Sequence, residues 1–383
     1  MLRERSYRSQ VAQSLHYFAR PQASIRTTPV GGASAFRGSD FSDASAFTEV
    51  LSARDADDIV RAVERARSLG RSTGSLGRDD FLLPGWAPRF AAWRRELRHG
   101  RGFLVLRGAP IARLGQAGSE LFFWCFGLHL GVPGAQNPAG DLLGHVRDEA
   151  ADRLPPKLNR APRLDPAEGV RQYRTRHAID FHCDLADVVG LLCLETAATG
   201  GRSRIASSVA AYNELLARRP DLASRLYEPF LLDTKGEGGV PYFPVIPCAH
   251  AAGELRTFWH AGYFRSVERV TGARPIDPRG REVLELYDEI MNEPGFALEM
   301  DLEPGDIQLV SNHTVVHGRT GYEDARADGE PTRQRHLLRL WLSLPEPRPL
   351  GLRWRAERAR ARLVAGLVRA RATERLRKMV ALR

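Results

Sequence analysis

Two side chains that can bind a metal ion stand one residue apart in the segment Phe181-His-Cys-Asp184. In a β-strand alternate side chains lie on the same face, so His182 and Asp184 would project together while Cys183 turns away. An imidazole and a carboxylate placed in this way can bind one divalent metal ion. An ordinary His–Asp hydrogen bond would use the same pair, and the motif alone leaves both interpretations open.

A third metal ligand can come from the segment that follows the turn Pro304-Gly305-Asp306. The turn leads into a predicted strand, and a second apolar run ends at His317. His313 is the competing candidate, although it could instead cap the turn between the two apolar runs. Two histidines and one carboxylate leave adjacent coordination positions open, which suits oxygen-activating iron(II).

Two arginines four residues apart indicate an anion site beside the metal. Arg335 and Arg339 would lie on one face of a predicted strand, whose other face is largely apolar. Buried guanidinium groups need anionic partners, and their planar fork fits a carboxylate through two hydrogen bonds. Internal acids could supply those partners. Next to an iron site, a cosubstrate that carries a carboxylate is the better explanation.

The elements that must position these residues are short strands, which follow one another from Ile179 onward. Turn signals separate them, a pattern typical of a β-barrel or sandwich, so the predicted fold class is mainly β with flanking helices. The predicted strands cover residues 102–107, 188–195, 203–207, 242–246, 256–259, 297–302, 307–311 and 336–344. The predicted helices cover residues 53–69, 88–97, 120–130, 208–217, 221–227 and 280–291.

The order of the motifs resembles that of the taurine/2-oxoglutarate dioxygenase superfamily, which includes clavaminate synthase. His-x-Asp is followed by Thr199-Gly200-Gly201, then by Pro-Gly-Asp and His-Gly-Arg, then by Arg-x-x-x-Arg. The resemblance covers about residues 101–344 and implies a double-stranded β-helix (jelly-roll) core. It also implies that His182, Asp184 and His317 bind iron(II), because the His-Gly-Arg run identifies His317 as the distal histidine.

The same resemblance implies a cosubstrate and a reaction. Arg335 and Ser203 would hold the far carboxylate of 2-oxoglutarate, and Arg339 and Asn312 are expected to contact the substrate. An Fe(II)- and 2-oxoglutarate-dependent dioxygenase uses O2 to oxidise an unactivated C–H bond and releases succinate and CO2. The predicted activity is hydroxylation of a small substrate, for which Arg339 indicates an acidic group. Desaturation, cyclisation and epoxidation stay open, whereas the carboxylate of Asp184 argues against halogenation.

The sequence departs from the family pattern in more than one place. Cys183 replaces the more usual Thr between the first two ligands, which should be harmless because it faces away. The loop between His317 and Arg335 is longer than in the taurine enzyme. Arg333 and Arg339 therefore compete with Arg335 for the role of binding 2-oxoglutarate.

Two other classes of function fit parts of the sequence. A non-redox, metal-binding jelly-roll of cupin type would use the arginines as structural ion pairs. A non-catalytic binding protein would use basic ends on nucleic acid or an anionic membrane. The net charge of +10 does lie at the ends, since residues 353–383 carry eleven Lys or Arg and two acids, and residues 1–39 carry six Arg and one Glu. The region between them is slightly acidic, so we expect a small-molecule substrate and no nucleic-acid partner.

The organisation outside the site is predicted from composition. Residues 1–45 form a polar leader, predicted to be disordered or loosely packed, residues 46–350 form the dioxygenase domain, and residues 351–383 form a basic helix. An organelle transit peptide is an alternative for the leader. Four cysteines without Cys-x-x-Cys spacing indicate a reducing compartment, and we predict a cytoplasmic protein. No apolar run reaches the roughly 18 residues of a membrane-spanning helix.

Overall fold

The computed structural model has two main β-sheets flanked by helices, and it describes residues 10–137, 139–149, 172–235, 240–327 and 330–345. The helices are α1 (Gln10–Phe18), α2 (Ala53–Ser68), α3 (Ala87–His99), α4 (Ile111–Leu130), α5 (Ser208–Arg218), α6 (Pro220–Ala223), α7 (Ala261–Ser266) and α8 (Pro278–Asn292). The strands are β1 (Thr48–Val50), β2 (Phe103–Arg107), β3 (Val132–Gly134), β4 (Leu143–Val146), β5 (Ile179–His182), β6 (Val188–Glu195), β7 (Thr199–Gly200), β8 (Ser203–Ser207), β9 (Phe230–Asp233), β10 (Tyr242–Val245), β11 (Cys248–Ala251), β12 (Glu254–Thr257), β13 (Leu298–Met300), β14 (Ile307–Ser311), β15 (Val315–Arg319), β16 (Tyr322–Glu323), β17 (Ala325–Ala327), β18 (Glu330–Arg333) and β19 (His336–Ser343). None of the helices in these ranges combines the length and the apolar character that crossing a membrane requires.

The two main sheets carry the site between them. The larger sheet has the strand order β1-β2-β14-β6-β19-β3, with β4 also paired to β19, and the smaller sheet has the order β13-β8-β15-β5. Strands β14 and β15 are consecutive in the chain but belong to opposite sheets, so the turn at residues 312–314 crosses from one sheet to the other. This arrangement is the jelly-roll core that the sequence predicts.

The strands alternate between an interior face and a helix-covered face. Along β2, Phe103 and Val105 belong to the apolar cluster between the sheets, whereas Leu104 and Leu106 pack in the cluster formed with α2, α3 and α4. Strand β19 alternates in the same way, which confirms its predicted apolar outer face. Its helix-covered side chains are Leu338, Leu340 and Leu342. The face opposite them is therefore free to point into the core beside the site.

The helix starts follow from local capping. Ser52 and Asp55 cap the start of α2: the Ser52 hydroxyl accepts from the Asp55 amide at 3.2 Å, and the Asp55 carboxylate accepts from the Ser52 amide at 2.8 Å. Asp277 caps α8 by accepting from the Gly280 amide at 2.9 Å. Both helices then bury one apolar face, α2 behind the larger sheet and α8 behind the smaller one.

The described part of the leader is folded. Tyr17 of α1 is 1% exposed, and its hydroxyl donates to the carbonyl oxygens of Asn312 at 2.7 Å and Thr257 at 3.2 Å. The expectation of disorder is wrong for this segment, because the aromatic face of α1 has a buried place to pack. The basic helix predicted at residues 351–383 lies outside the described residues. The domain boundaries at 46 and 350 stay predictions.

Candidate active site

Three potential metal ligands converge at one end of the smaller sheet. Strand β5 ends at His182, which pairs directly across the ladder with His317 of β15. The two imidazole centroids are 4.3 Å apart. Asp184 follows β5 by two residues, and one ligand atom from each of the three side chains lies within 4.8 Å of the others. The structure thus brings together the three residues that the sequence selects.

Both histidines present a ring nitrogen to the same carboxylate. Nδ1 of His182 donates to the carbonyl oxygen of Asp180 at 2.9 Å, which orients the ring and leaves Nε2 available to a metal. This Nε2 lies 3.8 Å from Oδ1 of Asp184, and Nε2 of His317 lies 3.6 Å from Oδ2. Burial and the neighbouring His317 lower the pKa of His182 to about 4. His182 is therefore neutral near pH 7, as a metal-binding imidazole must be.

Asp184 is kept charged and oriented by its neighbours. Burial opposes ionisation, but the Arg339 guanidinium and His317 hold the pKa of Asp184 well below its usual range. Trp341 donates its indole N–H to Oδ2 at 2.7 Å, and a terminal nitrogen of Arg339 lies 3.5 Å from the same oxygen. Oδ1 is left facing His182. The sequence places Trp341 beside the site but gives no sign of this hydrogen bond.

Asn312 positions the loop that carries Asp184. Its Oδ1 accepts from the Asp184 amide at 3.0 Å, and its Nδ2 donates to the carbonyl oxygen of Ala186 at 3.0 Å. Asn312 is fully buried, so the predicted substrate contact is wrong: both ends of its amide are bonded to the protein backbone. Because β5 stops at His182, strand geometry alone does not place Asp184, and Asn312 supplies the missing constraint.

His313, the competing ligand, faces a different part of the molecule. Its Nε2 donates to Oδ1 of Asp187 at 2.8 Å, and its ring stacks on Tyr17 with centroids 4.7 Å apart. It therefore packs α1 against the turn between the sheets. The structure separates it from the three converging residues.

A cavity of about 60 Å³ adjoins His182 and His317. It runs between the two sheets, toward the Gly-Gly turn at residues 200–201 and the start of β19. Its lining includes Ser203, Arg319, Arg335 and Arg339. The cavity is thus lined by two of the potential metal ligands and by three cationic side chains.

Arg335 is buried at the end of the cavity beside the Gly-Gly turn. It is 6% exposed, one terminal nitrogen donates to the carbonyl oxygen of Gly201 at 3.2 Å, and the other has no hydrogen-bond partner in the described structure. A Cβ at Gly201, whose φ is +73°, would lie 2.8 Å from Nε of Arg335, so the glycine makes room for the guanidinium. Ser203 lies nearby, and its hydroxyl donates to Oε1 of Gln308 at 2.8 Å.

Arg339 lies nearer to the metal ligands. Its Nε donates to Oε1 of Gln136 at 2.7 Å, and its guanidinium lies over the ring of Tyr173 at 4.6 Å. Together with the contact to Asp184, this fixes the side chain at the border between ligands and cavity. A role in substrate binding stays a prediction.

Arg319 is a cavity residue that the sequence analysis leaves without a role. It is 5% exposed and directs one terminal nitrogen to the carbonyl oxygens of Thr175 at 2.7 Å and His177 at 2.6 Å. Burial and the nearby Arg335 lower its pKa to about 9. Strand periodicity could have identified Arg319 as a residue of the site, because it stands two residues after His317 on the same strand and therefore lies on the same face.

The donor set fits a metal ion with an anionic ligand beside it. Two imidazoles and one carboxylate on one side leave room for further ligands, the arrangement that suits non-haem iron(II). Buried guanidinium nitrogens without partners need an acceptor, and a carboxylate offers several lone pairs. The site can therefore hold iron(II) together with a small carboxylic acid.

The sequence of the chain matches the model of the family described as taurine catabolism dioxygenase TauD, TfdA family, over residues 65–341. FR-33289 synthase from Streptomyces rubellomurinus is 33% identical over 331 residues, which cover 85% of this chain and 93% of the relative. The taurine hydroxylase-like protein SAT17 from Stachybotrys chartarum is 27% identical over 316 residues, covering 80% and 77%.

A similar fold occurs in a solved structure of asparagine oxygenase, which was determined in complex with Fe(II), a hydroxyasparagine and succinate. The TM-score is 0.58 at 18% sequence identity, and the match covers 77% of this chain and 93% of the other. At this identity the likeness concerns the fold, and it agrees with the jelly-roll core described above.

Proposed function

The chain belongs to the TauD/TfdA family of taurine catabolism dioxygenases, and on that premise we propose that His182, Asp184 and His317 are its iron(II) ligands. The protein is a 2-oxoglutarate-dependent non-haem iron dioxygenase. The observation that carries the assignment of ligands is the convergence of these three side chains beside a cavity lined with arginines. Membership of a dioxygenase family speaks against the non-redox, cupin-type alternative.

The protein prepares the metal site through protonation and orientation. When bound, iron(II) and 2-oxoglutarate activate O2 to oxidise a C–H bond of the substrate, with release of succinate and CO2. His182 is neutral and Asp184 is charged near pH 7, so neither needs to change its protonation to bind the metal. The indole of Trp341 holds Oδ2 of Asp184, which turns Oδ1 toward His182.

Arg335 and Ser203 are proposed to hold the far carboxylate of 2-oxoglutarate. Arg335 has a buried terminal nitrogen with no partner among the described residues, and it lines the same cavity as His182 and His317. Ser203 lines that cavity too, but its hydroxyl already donates to Gln308. It can donate to the cosubstrate only by giving up this hydrogen bond, so we assign the larger share of the binding energy to Arg335.

The proposed substrate is a small molecule with an acidic group, and the proposed reaction is hydroxylation. Arg339 lines the cavity close to Asp184 and presents a cationic group to whatever binds there. One relative is named for taurine, which is a sulfonic acid. The four cysteines are unpaired and buried, which supports the proposed cytoplasmic location. We propose no nucleic-acid partner.

The test is turnover of a panel of small amino acids, sulfonates and phosphate esters with Fe(II), 2-oxoglutarate and O2. Products are scored by mass for the gain of one oxygen atom or the loss of two hydrogens, with succinate measured in parallel. We expect His182→Ala to abolish both signals. His99→Ala is the matched control, since His99 is exposed and paired with Glu254 at the surface. Product formation without 2-oxoglutarate, or in the His182→Ala variant, would overturn the proposal.

A further inference from the structure

Arg319 is a buried arginine that lines the cavity and to which the proposed function assigns no role. Nε and one terminal nitrogen have no hydrogen-bond partner in the described structure, although the side chain is 5% exposed. Buried polar groups in folded proteins are almost always satisfied, and an unpaired buried guanidinium is costly. Among the described residues, no side chain or carbonyl group supplies the acceptor that these nitrogens need.

Arg319 is also rigidly placed. Its other terminal nitrogen donates to the carbonyl oxygens of Thr175 and His177, so one end of the guanidinium is fixed by backbone groups. The unpaired nitrogens belong to the rest of the same planar group. Arg319 and the proposed metal ligand His317 stand two residues apart on β15, so their side chains lie on the same face of the strand. Both side chains line the same cavity.

Arg319 and Arg335 form a pair around one aromatic ring. The guanidinium carbon of Arg319 lies 4.6 Å from the ring centroid of Tyr322, and that of Arg335 lies 5.3 Å from it. Both arginines line the same cavity, and both have buried nitrogens without partners. The Tyr322 hydroxyl is likewise buried without a partner in the described structure. Arg319 and Arg335 thus each have N–H groups that donate no hydrogen bond within the described structure. A carboxylate bound between them could accept hydrogen bonds from both.

We propose that Arg319 is a second cosubstrate-binding residue, which donates to the far carboxylate of 2-oxoglutarate together with Arg335. The inference rests on the proposed function, because it needs 2-oxoglutarate to bind at this cavity. It assigns the third residue of His-Gly-Arg a direct contact with the cosubstrate. A purely structural Arg319 would use only the nitrogen that holds the 175–177 segment.

The test is anaerobic binding of 2-oxo acids to the Fe(II)-loaded protein, measured by calorimetry and not by turnover. 2-Oxoglutarate is compared with pyruvate, a 2-oxo acid that has no far carboxylate. We expect Arg319→Met to weaken 2-oxoglutarate binding by about 10- to 100-fold, the usual range for a lost charge-assisted hydrogen bond. The affinity for pyruvate should change by less than about twofold, because pyruvate has no second carboxylate that could reach Arg319 and Arg335.

Three further variants complete the design. Arg319→Lys keeps the charge but lacks the planar guanidinium group with its paired N–H donors, so we expect an intermediate loss of 2-oxoglutarate affinity. This variant replaces Arg319→Met if Arg319→Met does not fold. Arg335→Met should show the same selective loss. Arg202→Met is the control, since Arg202 is exposed and pairs with Glu299 at the surface.

The outcomes separate the inference from the proposed function. Unchanged 2-oxoglutarate affinity in both Arg319 variants, with a loss in Arg335→Met, would overturn the role of Arg319 alone. An equal loss for 2-oxoglutarate and pyruvate would also overturn it, because that result indicates general damage to the site. Failure of the unmodified protein to prefer 2-oxoglutarate over pyruvate would contradict the proposed function itself.

Discussion

At the scale of single residues, the two oxygens of Asp184 have different environments. Oδ2 accepts the Trp341 indole N–H at 2.7 Å, and Oδ1 faces His182. We predict that Trp341→Phe, which keeps the ring and removes the donor, weakens Fe(II) binding by about 10-fold, as is usual when a partner that orients a metal ligand is lost. Anaerobic equilibrium dialysis measures this. Trp124→Phe is the control, because that indole donates to Leu76 far from the site; equal Fe(II) affinities in both variants would contradict the role of Trp341.

A second residue-scale prediction concerns Asn312. Asn312→Ala leaves the buried amide of Asp184 and the carbonyl of Ala186 without a partner, which typically costs about 1–3 kcal/mol of stability. We expect this loss in urea unfolding together with weaker Fe(II) binding, because the Asp184 loop is no longer fixed. Asn292→Ala at the surface should change the free energy of unfolding by less than about 0.5 kcal/mol. A loss of stability with unchanged Fe(II) affinity would show that Asn312 does not position Asp184.

The sequence predicts the ligands better than it predicts their supports. His182 and His317 stand out because few side chains bind metals and each directly follows apolar residues. Asn312 and Arg319 lie beside these motifs, but their roles depend on contacts between distant segments. From the sequence, Asn312 is expected to contact the substrate. Only the fold shows that its amide is used by the loop after β5.

At the scale of elements, α1 and the turn between the sheets share a buried polar cluster. Asp187 accepts from His313 at 2.8 Å and pairs with His16 of α1 at 3.1 Å. Burial lowers the pKa of His313 to about 4. The absence of any partner for its Nδ1 among the described residues agrees with a neutral ring, since a protonated Nδ1 would be a buried donor without an acceptor.

This cluster predicts a pH dependence of stability. The unfolded chain binds the His313 proton near pH 6.5, whereas the folded chain binds it only near pH 4. Acidification through this window therefore favours unfolding, and the contribution of His313 is lost as the pH falls. We expect His313→Gln to reduce the drop in unfolding free energy of the metal-free protein between about pH 7 and about pH 4.5 by about 2–3 kcal/mol. Urea titrations at both pH values measure this. His99→Gln should behave like the unmodified protein, and equal drops in all three proteins would contradict a neutral, buried His313.

Elements were predictable where a buried strand is a continuous apolar run between turn signals. The bounds of β6, β8 and β14 coincide with the predicted 188–195, 203–207 and 307–311. Strands β3 and β4 were not predicted, because they are short and exist through pairing with β19, which is distant in the sequence. Helix α1 was not predicted because its partners, Asn312 and Thr257, are also distant.

At the scale of the whole molecule, the site should couple ligand binding to stability. The three proposed ligands come from two strands of one sheet and the loop beyond, so an unfolded chain cannot offer them together. We expect Fe(II) plus 2-oxoglutarate, added without oxygen, to raise the free energy of unfolding by about 2.7 kcal/mol at a ligand concentration of about 100 Kd. Thermal unfolding with and without a chelator measures it. This stabilisation should vanish in the Asp184→Ala variant. If the ligands stabilised that variant as much as the unmodified protein, the metal would have to bind at another site.

The global features that the sequence predicts are those that depend on patterning. Short strands with turn signals indicate a β-barrel or sandwich, and the order of motifs indicates the family, whose resemblance implies the jelly-roll. The strand partners are set by the closure of two sheets, which no local pattern encodes. The pairing of β5 with β15 brings His182 opposite His317. The resemblance to the family implies that these two histidines bind one metal ion, but the sequence does not predict the strand pairing that places them.

The most direct test of the central claim is the visible charge-transfer absorption that 2-oxoglutarate produces when it chelates protein-bound Fe(II) in the absence of oxygen. The unmodified protein should bind one Fe(II) per chain and develop this absorption on addition of 2-oxoglutarate. His317→Ala should lose both properties, and His99→Ala should keep both. Retention of the absorption in His317→Ala, or its absence from the unmodified protein loaded with Fe(II), would contradict the iron site formed by His182, Asp184 and His317.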